Sequence, residues 1–129
     1  MTISLGDMLA AVRVDGGAAH YTITDDWLQG RTTYGGLSAA LCLAATLAQH
    51  GDLPPLRSAQ IAFIGPAAGE VHIRSRILRR GKSVAFVEAD LCQGEALATR
   101  ALFAFGAPRE SVMSLSHFPM PDVPPPAAC

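Results

Sequence analysis

Two short segments of the chain hold residue types at spacings that suit chemistry. The first is Gly35-Gly36, which opens the apolar run LSAALCLAATLAQH (37–50). A helix N-terminus presents unpaired backbone N–H groups and a partial positive charge. Two glycines there let a ligand carbonyl approach closely, where those N–H groups would stabilise negative charge developing on its oxygen. The same pair equally permits tight packing of a helix on a sheet, and both readings stand. The second segment is Arg79-Arg80-Gly81-Lys82-Ser83, three cations and a hydroxyl in five residues. Such a turn suits phosphate groups and is also an ordinary solvated hairpin. Arg31 is a further cation just ahead of the glycines, and Trp27 and Tyr34 flank the same connection, either lining a channel or joining the core.

Much chemistry is excluded. The three cysteines, Cys42, Cys92 and Cys129, are odd in number and lack a CxxC or Cys/His spacing, so neither a disulfide framework nor a zinc site is expected. His20, His50, His72 and His117 are scattered without partner spacing. Ten basic against eleven acidic residues leave a net charge of −1, with no surplus to hold nucleic acid. The N-terminus lacks a basic region followed by a long apolar one, and the longest apolar run is too short for a bilayer. A cytoplasmic protein of one domain is the expectation.

The elements that must position these residues follow from periodicity. Ser4 caps a first helix carrying Leu5, Met8, Leu9 and Val12, ended by Gly16-Gly17. AHYTIT (19–24) reads as a strand and residues 25–34 as an irregular connection. The run after Gly35-Gly36 is apolar nearly all round, which marks a helix buried on most sides. Beyond Pro54-Pro55 the period becomes two, over 57–64, 71–77, 84–92 and 96–105, with Ala59, Ile61 and Phe63 sharing one face. A hairpin closing at Arg80–Lys82 predicts Arg74 opposite Glu88 and His72 opposite Asp90 on the wet face. The segment HFPMPDVPPPAAC (117–129) has five prolines and reads as an extended tail or linker. One buried helix with no second helical layer must be wrapped by a curved antiparallel sheet. That is an α+β chain with a single hotdog fold over 1–107 and a Pro-rich tail or linker over 108–129. The free edge of such a sheet predicts pairing with another unit.

The order and spacing of Tyr34-Gly35-Gly36, of PLRS followed by FIGP (55–66), of the R-x-G-K-S turn at Arg79–Ser83, of Gln93-Gly94 and of MPDVPPP (120–126) resembles the N-terminal repeat of the acyl-CoA thioesterase II family over about residues 19–126. The resemblance implies hydrolysis of an acyl-CoA thioester to free acid and coenzyme A. The site would be completed by a second hotdog unit, an identical chain or a separate one, and MPDVPPP would be the connector to a second repeat. Coenzyme A would enter as part of the substrate, with no cofactor and no metal. Gly35 and Gly36 would face the thioester oxygen. Trp27, Arg31, Tyr34, Arg79, Arg80, Lys82 and Ser83 would bind the acyl chain and the coenzyme A phosphates.

Hotdog thioesterases place a carboxylate on or near the long helix, whereas residues 35–51 contain no Asp or Glu. In the two-repeat family the Asp, hydroxyl and Gln of the chemistry lie in the second repeat, and the matching positions here are aliphatic, around Leu43, Leu56 and Leu102. Substitutes for the missing groups are Asp25 and Asp26 in the loop, and Ser58 and Gln60 on the neighbouring strand. The alternative is a non-catalytic half that binds acyl-CoA or scaffolds a partner. A dehydratase on this fold would need a histidine near the helix start, and none lies there.

Overall fold

The computed structural model describes residues 2–128; the expectation for Cys129 lies outside them. Helix α1 (Leu5–Ala10) starts where Ser4 caps it, its Oγ accepting from the Asp7 amide at 3.1 Å. The helix ends earlier than expected. The chain turns into strand β1 (Arg13–Asp15), and Gly16-Gly17 form the tight turn to β2 (Ala18–Ile23). Both glycines have positive φ, 56° and 74°, as a two-residue hairpin turn requires. The glycine pair therefore makes a hairpin rather than a helix stop.

The connection 25–34 is more ordered than expected. A 3-10 turn (Asp25–Trp27) leads to a small hairpin of β3 (Leu28–Gln29) and β4 (Thr32–Thr33). Helix α2 then runs Gly35–Gln49, and four long strands follow: β5 (Leu56–Phe63), β6 (Gly69–Arg80), β7 (Val84–Gln93) and β8 (Ala96–Gly106). The main sheet has the order β1-β2-β6-β7-β8-β5, antiparallel throughout. It curves around α2, giving the hotdog arrangement expected. Beyond Gly106 the described chain forms no strand, and Val112, Phe118 and Met120 lie exposed in it.

The β6–β7 register differs from the expected one by two residues. Arg74 faces Asp90, Arg76 faces Glu88 and His72 faces Cys92. The turn is centred later than expected, on Lys82-Ser83, where Gly81 N donates to the Val84 carbonyl at 2.8 Å. That moves the pairing by three residues, and the irregularity between Ile77 and Arg79 takes one back. Because a slip of two preserves the faces, the charges still share the outer surface. There Arg100 grips Asp90 through two bonds of 2.7 and 2.6 Å.

The core lies between α2 and the inner face of the sheet. Leu37, Leu41, Cys42 and Ala45 of the helix meet Ile73, Val87, Leu91, Phe103 and Phe105. A polar clamp fixes the helix C-terminus. Gln49 donates to the Ile73 carbonyl at 3.0 Å and accepts from the Ser75 amide and hydroxyl at 3.2 and 3.0 Å. Gln49→Ala removes the partner of the half-buried Ile73 carbonyl and Ser75 amide, and leaves the Ser75 hydroxyl only His50 Nε2 at 3.0 Å. Denaturant unfolding should show a loss of about 1–3 kcal/mol; an unchanged midpoint would discount the clamp.

Two buried acids give the core an alkaline limit. Burial, with a small contribution from Cys42, pushes the Tyr21 hydroxyl up to about 12. Burial, helped by Asp90 and Cys92, pushes the Cys42 thiol from 9.0 to about 12. Their neutral forms are favoured only in the folded chain, so the stability they carry is complete below the unfolded pKa values and lost as pH rises toward the folded ones. Stability should therefore fall from about pH 9 upward. The Tyr21→Phe, Cys42→Ala double variant should flatten that slope in unfolding titrations.

Candidate functional site

The start of α2 is held by a latched approach. Trp27 Nε1 donates to the Ile3 carbonyl at 2.9 Å, and the Thr33 hydroxyl donates to the Trp27 carbonyl at 2.9 Å. Thr33 N donates to the Ala67 carbonyl at 2.8 Å, while Ala67 N donates to Thr32 Oγ1 at 2.9 Å. These bonds tie residues 27–33 to both the N-terminal segment and the β5–β6 connection. Tyr34 is the N-cap residue of α2 and makes no side-chain cap bond, and the first turn holds no acidic residue. Leu37 N already donates to the Tyr34 carbonyl at 3.1 Å, so it is the N–H groups of Gly35 and Gly36 that keep their capacity to bind an oxygen ligand.

Aromatic rings crowd this terminus. Trp27 and Tyr34 stack with centroids 5.9 Å apart and planes 16° apart. A Cβ added at Gly36 would strike the Tyr34 ring, and one at Gly35 would come within 2.7 Å of the Phe63 ring. The glycines thus serve close packing of rings on the helix start. That is compatible with ligand approach, because Phe63 is 61% exposed and its ring has room to move. Beside it lies a cleft of about 640 Å³ lined by Gln29, Arg31, Phe63, Ile64, Pro66 and Gln93, among others. The cleft has an apolar wall, amide groups and one cation. Phe63 had no place in the expected site and Gln93 entered it only as a turn residue; the alternation that put Phe63 on the face of Ala59 and Ile61 was the usable signal.

The substitute groups fare differently. Asp26 is occupied: the Thr24 hydroxyl bonds one carboxylate oxygen and the Ile3 amide the other, at 2.9 Å. These two bonds, in that order, hold its pKa below the usual carboxylate range. Asp25 is exposed, and its carboxylate has no hydrogen-bond or ion-pair partner among the described residues. Ala59, Ile61 and Phe63 pair with the inward-facing Phe103, Ala101 and Thr99, so Ser58 and Gln60 fall on the outer face of the sheet. They were expected as substitutes because their strand runs beside the helix; their parity on that strand directs them away from it. Leu102 is on that outer face opposite Gln60, Leu56 begins β5, and Leu43 packs against the core.

The cationic turn lies at the other end of the unit. Arg79, Gly81, Lys82 and Ser83 line a cleft of about 300 Å³. Arg80 does not join Arg79 and Lys82 in that cleft. It grips Asp52 through bonds of 2.9 and 3.1 Å and the Asp52 carbonyl at 2.9 Å, closing the turn onto the loop after α2. That hydrogen bonding and the charge of Arg80 lower the Asp52 pKa. Since α2 has 15 residues, its N-terminus and this turn stand about 22 Å apart along the axis. The expected site residues therefore fall into two groups at opposite ends of one unit.

Between the groups runs β5, which pairs only with β8 and has one free edge. Nearly all its residues are exposed on both faces.

Comparison with known proteins places these features in a family. A model of the acyl-CoA thioesterase N-terminal domain matches residues 23–106. A hotdog-fold protein of unknown function from Alicyclobacillus acidocaldarius superposes with a TM-score of 0.83 at 28% identity, covering 99% of this chain and 48% of that one. A protein from Thermobifida fusca described as a candidate thioesterase II gives 0.78 at 24% identity, covering 97% and 47%. A tesB protein of Mycobacterium avium subsp. paratuberculosis gives 0.74 at 21% identity, covering 97% and 50%. No curated protein matches. The chain spans about half the length of these three structures. The helix start with its unfilled cap, the curved sheet around it and the match over 23–106 agree, and the chain belongs to the acyl-CoA thioesterase N-terminal domain family.

Proposed function

We propose that the chain is one hotdog half of an acyl-CoA thioesterase of type II, hydrolysing an acyl-CoA thioester to free acid and coenzyme A in a site completed by a second hotdog unit. The single observation that carries this reading is the uncapped N-terminus of α2 beside the cleft of Arg31 and Phe63. Its N–H groups would polarise the thioester carbonyl and stabilise the oxyanion formed when water attacks. The apolar wall at Phe63, Ile64 and Pro66 would take the start of the acyl chain.

The second unit has a geometric reason. Antiparallel pairing through the free edge of β5 sets the Leu56 end of one unit beside the Phe63 end of the other. The β6–β7 turn lies toward the Leu56 end, since Val84 pairs with Gly106 and Leu56 with Phe105. Such a pairing brings Arg79 and Lys82 of one unit toward the helix start of the other. The phosphates and the thioester of one coenzyme A molecule would then be held by different units. The segment 108–129 would serve as the linker toward such a second unit.

A second reading is favoured by one observation: α2 carries no carboxylate and Asp26 is occupied. In that reading this half binds acyl-CoA and a partner supplies the base. Thiol release from a panel of acyl-CoAs, with solution mass recorded on the same sample, separates the two. Turnover by a homo-oligomer supports the first reading; coenzyme A binding without turnover supports the second; neither turnover nor binding would sink both. Ala59→Asp, a charge on the open face of β5, should convert the oligomer to single units and abolish turnover.

Loop carboxylates give a sharper contrast. Asp25→Asn should lower kcat about a hundredfold if Asp25 is the general base while leaving the melting temperature unchanged. Asp26→Asn should do the reverse, lowering the melting temperature and sparing kcat. Full turnover in Asp25→Asn would move the base to the second unit.

A further inference from the structure

On the outer face of the sheet, away from every group assigned above, three strands align a row of side chains. His20 of β2 pairs directly with His72 of β6, and His72 with Cys92 of β7. The two imidazoles lie 6.1 Å apart, centroid to centroid, with planes tilted by 37°. Next to them, Arg74 shares the face. With Cys92, Gly94 and Glu95 they line a cleft of about 500 Å³.

From these residues we infer that the outer face carries a second binding site, for a phosphate-type dianion held by Arg74, His72 and His20. Arg74 is the anchor. Its cross-strand neighbour Asp90 is already engaged twice by Arg100, and the Arg74 guanidinium makes no hydrogen bond or ion pair among the described residues. An unpaired guanidinium presents a planar fork of donors that matches phosphate oxygens. The imidazoles add donors that become cationic on protonation.

Arg13 of β1 faces His20 and pairs loosely with Glu70 at 3.8 Å. Glu70 of β6 also accepts from the Thr22 hydroxyl. Asp90 of β7 is neutralised by Arg100 of β8. Cys92 is kept in its neutral thiol form by burial and by Asp90. Glu95, in the β7–β8 turn, is the one opposing charge in the lining. The His72 imidazole is held below its ordinary pKa by burial, then by Arg74 and His20, which reports positive potential at the ring. A bound dianion would relieve that potential and draw a proton onto His72, so binding should tighten as pH falls.

The same imidazoles would also interest a divalent cation. Against that stands the unpaired Arg74 guanidinium beside them, whose charge repels a cation. In addition, among the described residues no group of three or more His, Cys, Asp or Glu side chains is placed to hold a metal ion.

Calorimetric titration of the full chain with sulfate and with inorganic phosphate tests the site, together with NMR of the imidazole Cε1 protons. Sulfate keeps its charge across the range, so its pH dependence reads the protein alone. Saturable binding should move the His20 and His72 signals, and sulfate should bind more strongly at about pH 6 than at about pH 8. Arg74→Gln should weaken it about tenfold or more, His72→Gln should reduce the pH dependence of sulfate binding, and the double variant His20→Gln, His72→Gln should remove it. Arg76→Gln, a cation of the same face outside the cleft, should leave binding intact. Competition by coenzyme A but not by dephospho-coenzyme A would identify the source as a ligand's phosphomonoester, and no competition by either would identify free anion; both support the site. No saturable binding, binding unaffected by Arg74→Gln, or imidazole shifts produced by zinc and not by the anions would overturn it. None of these readouts depends on thioester hydrolysis.

Discussion

One helix has to serve a six-stranded sheet, and most of the structure follows from that imbalance. Helix α2 is apolar around most of its circumference, and burying it requires the sheet to curl about it. It packs chiefly on β2, β6, β7 and β8, whose inward residues are buried. Strand β5 extends the sheet past this cover. Its inner face of Ala59, Ile61 and Phe63 is the correct continuation of the core, yet it is largely open in a single unit. An open, apolar, unpaired strand edge is a liability in isolation, and a neighbouring unit that covers it removes the liability and completes the cleft at once.

The two ends of α2 are built for different purposes. The C-terminal end is closed by polar bonds: Gln49 to β6, and Arg80 to Asp52 just beyond. The N-terminal end carries rings, Tyr34 and Phe63, which pack on the glycines without consuming the Gly35 and Gly36 N–H groups. A carboxylate or hydroxyl cap would have stabilised the helix locally by about 1 kcal/mol and would also have occupied those donors. The absence of a cap at Tyr34 is thus consistent with keeping the donors for a ligand, at a modest local cost.

Much of the fold was legible because period and composition agreed. The apolar run after Gly35-Gly36, the period-two segments and the Ser4 cap correspond to α2, β5–β8 and α1. Where reading failed, the cause was local. Gly16-Gly17 suits a helix stop and a hairpin turn alike, and only tertiary pairing of Arg13 with His20 decides between them. The β6–β7 turn is centred on Lys82-Ser83, past Gly81, and the irregularity near Leu78 then changes the register again; no residue type announces either. The site was less legible. Side-chain parity on β5 sends Ser58 and Gln60 outward, which depends on which of its faces meets the core. The engagement of Asp26 with Ile3 spans 23 positions and leaves no mark on local sequence.

The chain contains a single tryptophan, and the fold has set it in a telling place. Trp27 stacks on the Tyr34 ring, which itself lies against Gly36, and its indole N–H is bound to the Ile3 carbonyl. Any molecule that displaces Tyr34 from the helix start changes both the stacking and the polarity felt by that indole. The protein therefore carries an intrinsic optical probe at the start of α2, whose emission reports displacement of Tyr34 there without a label and separately from events on the outer face of the sheet.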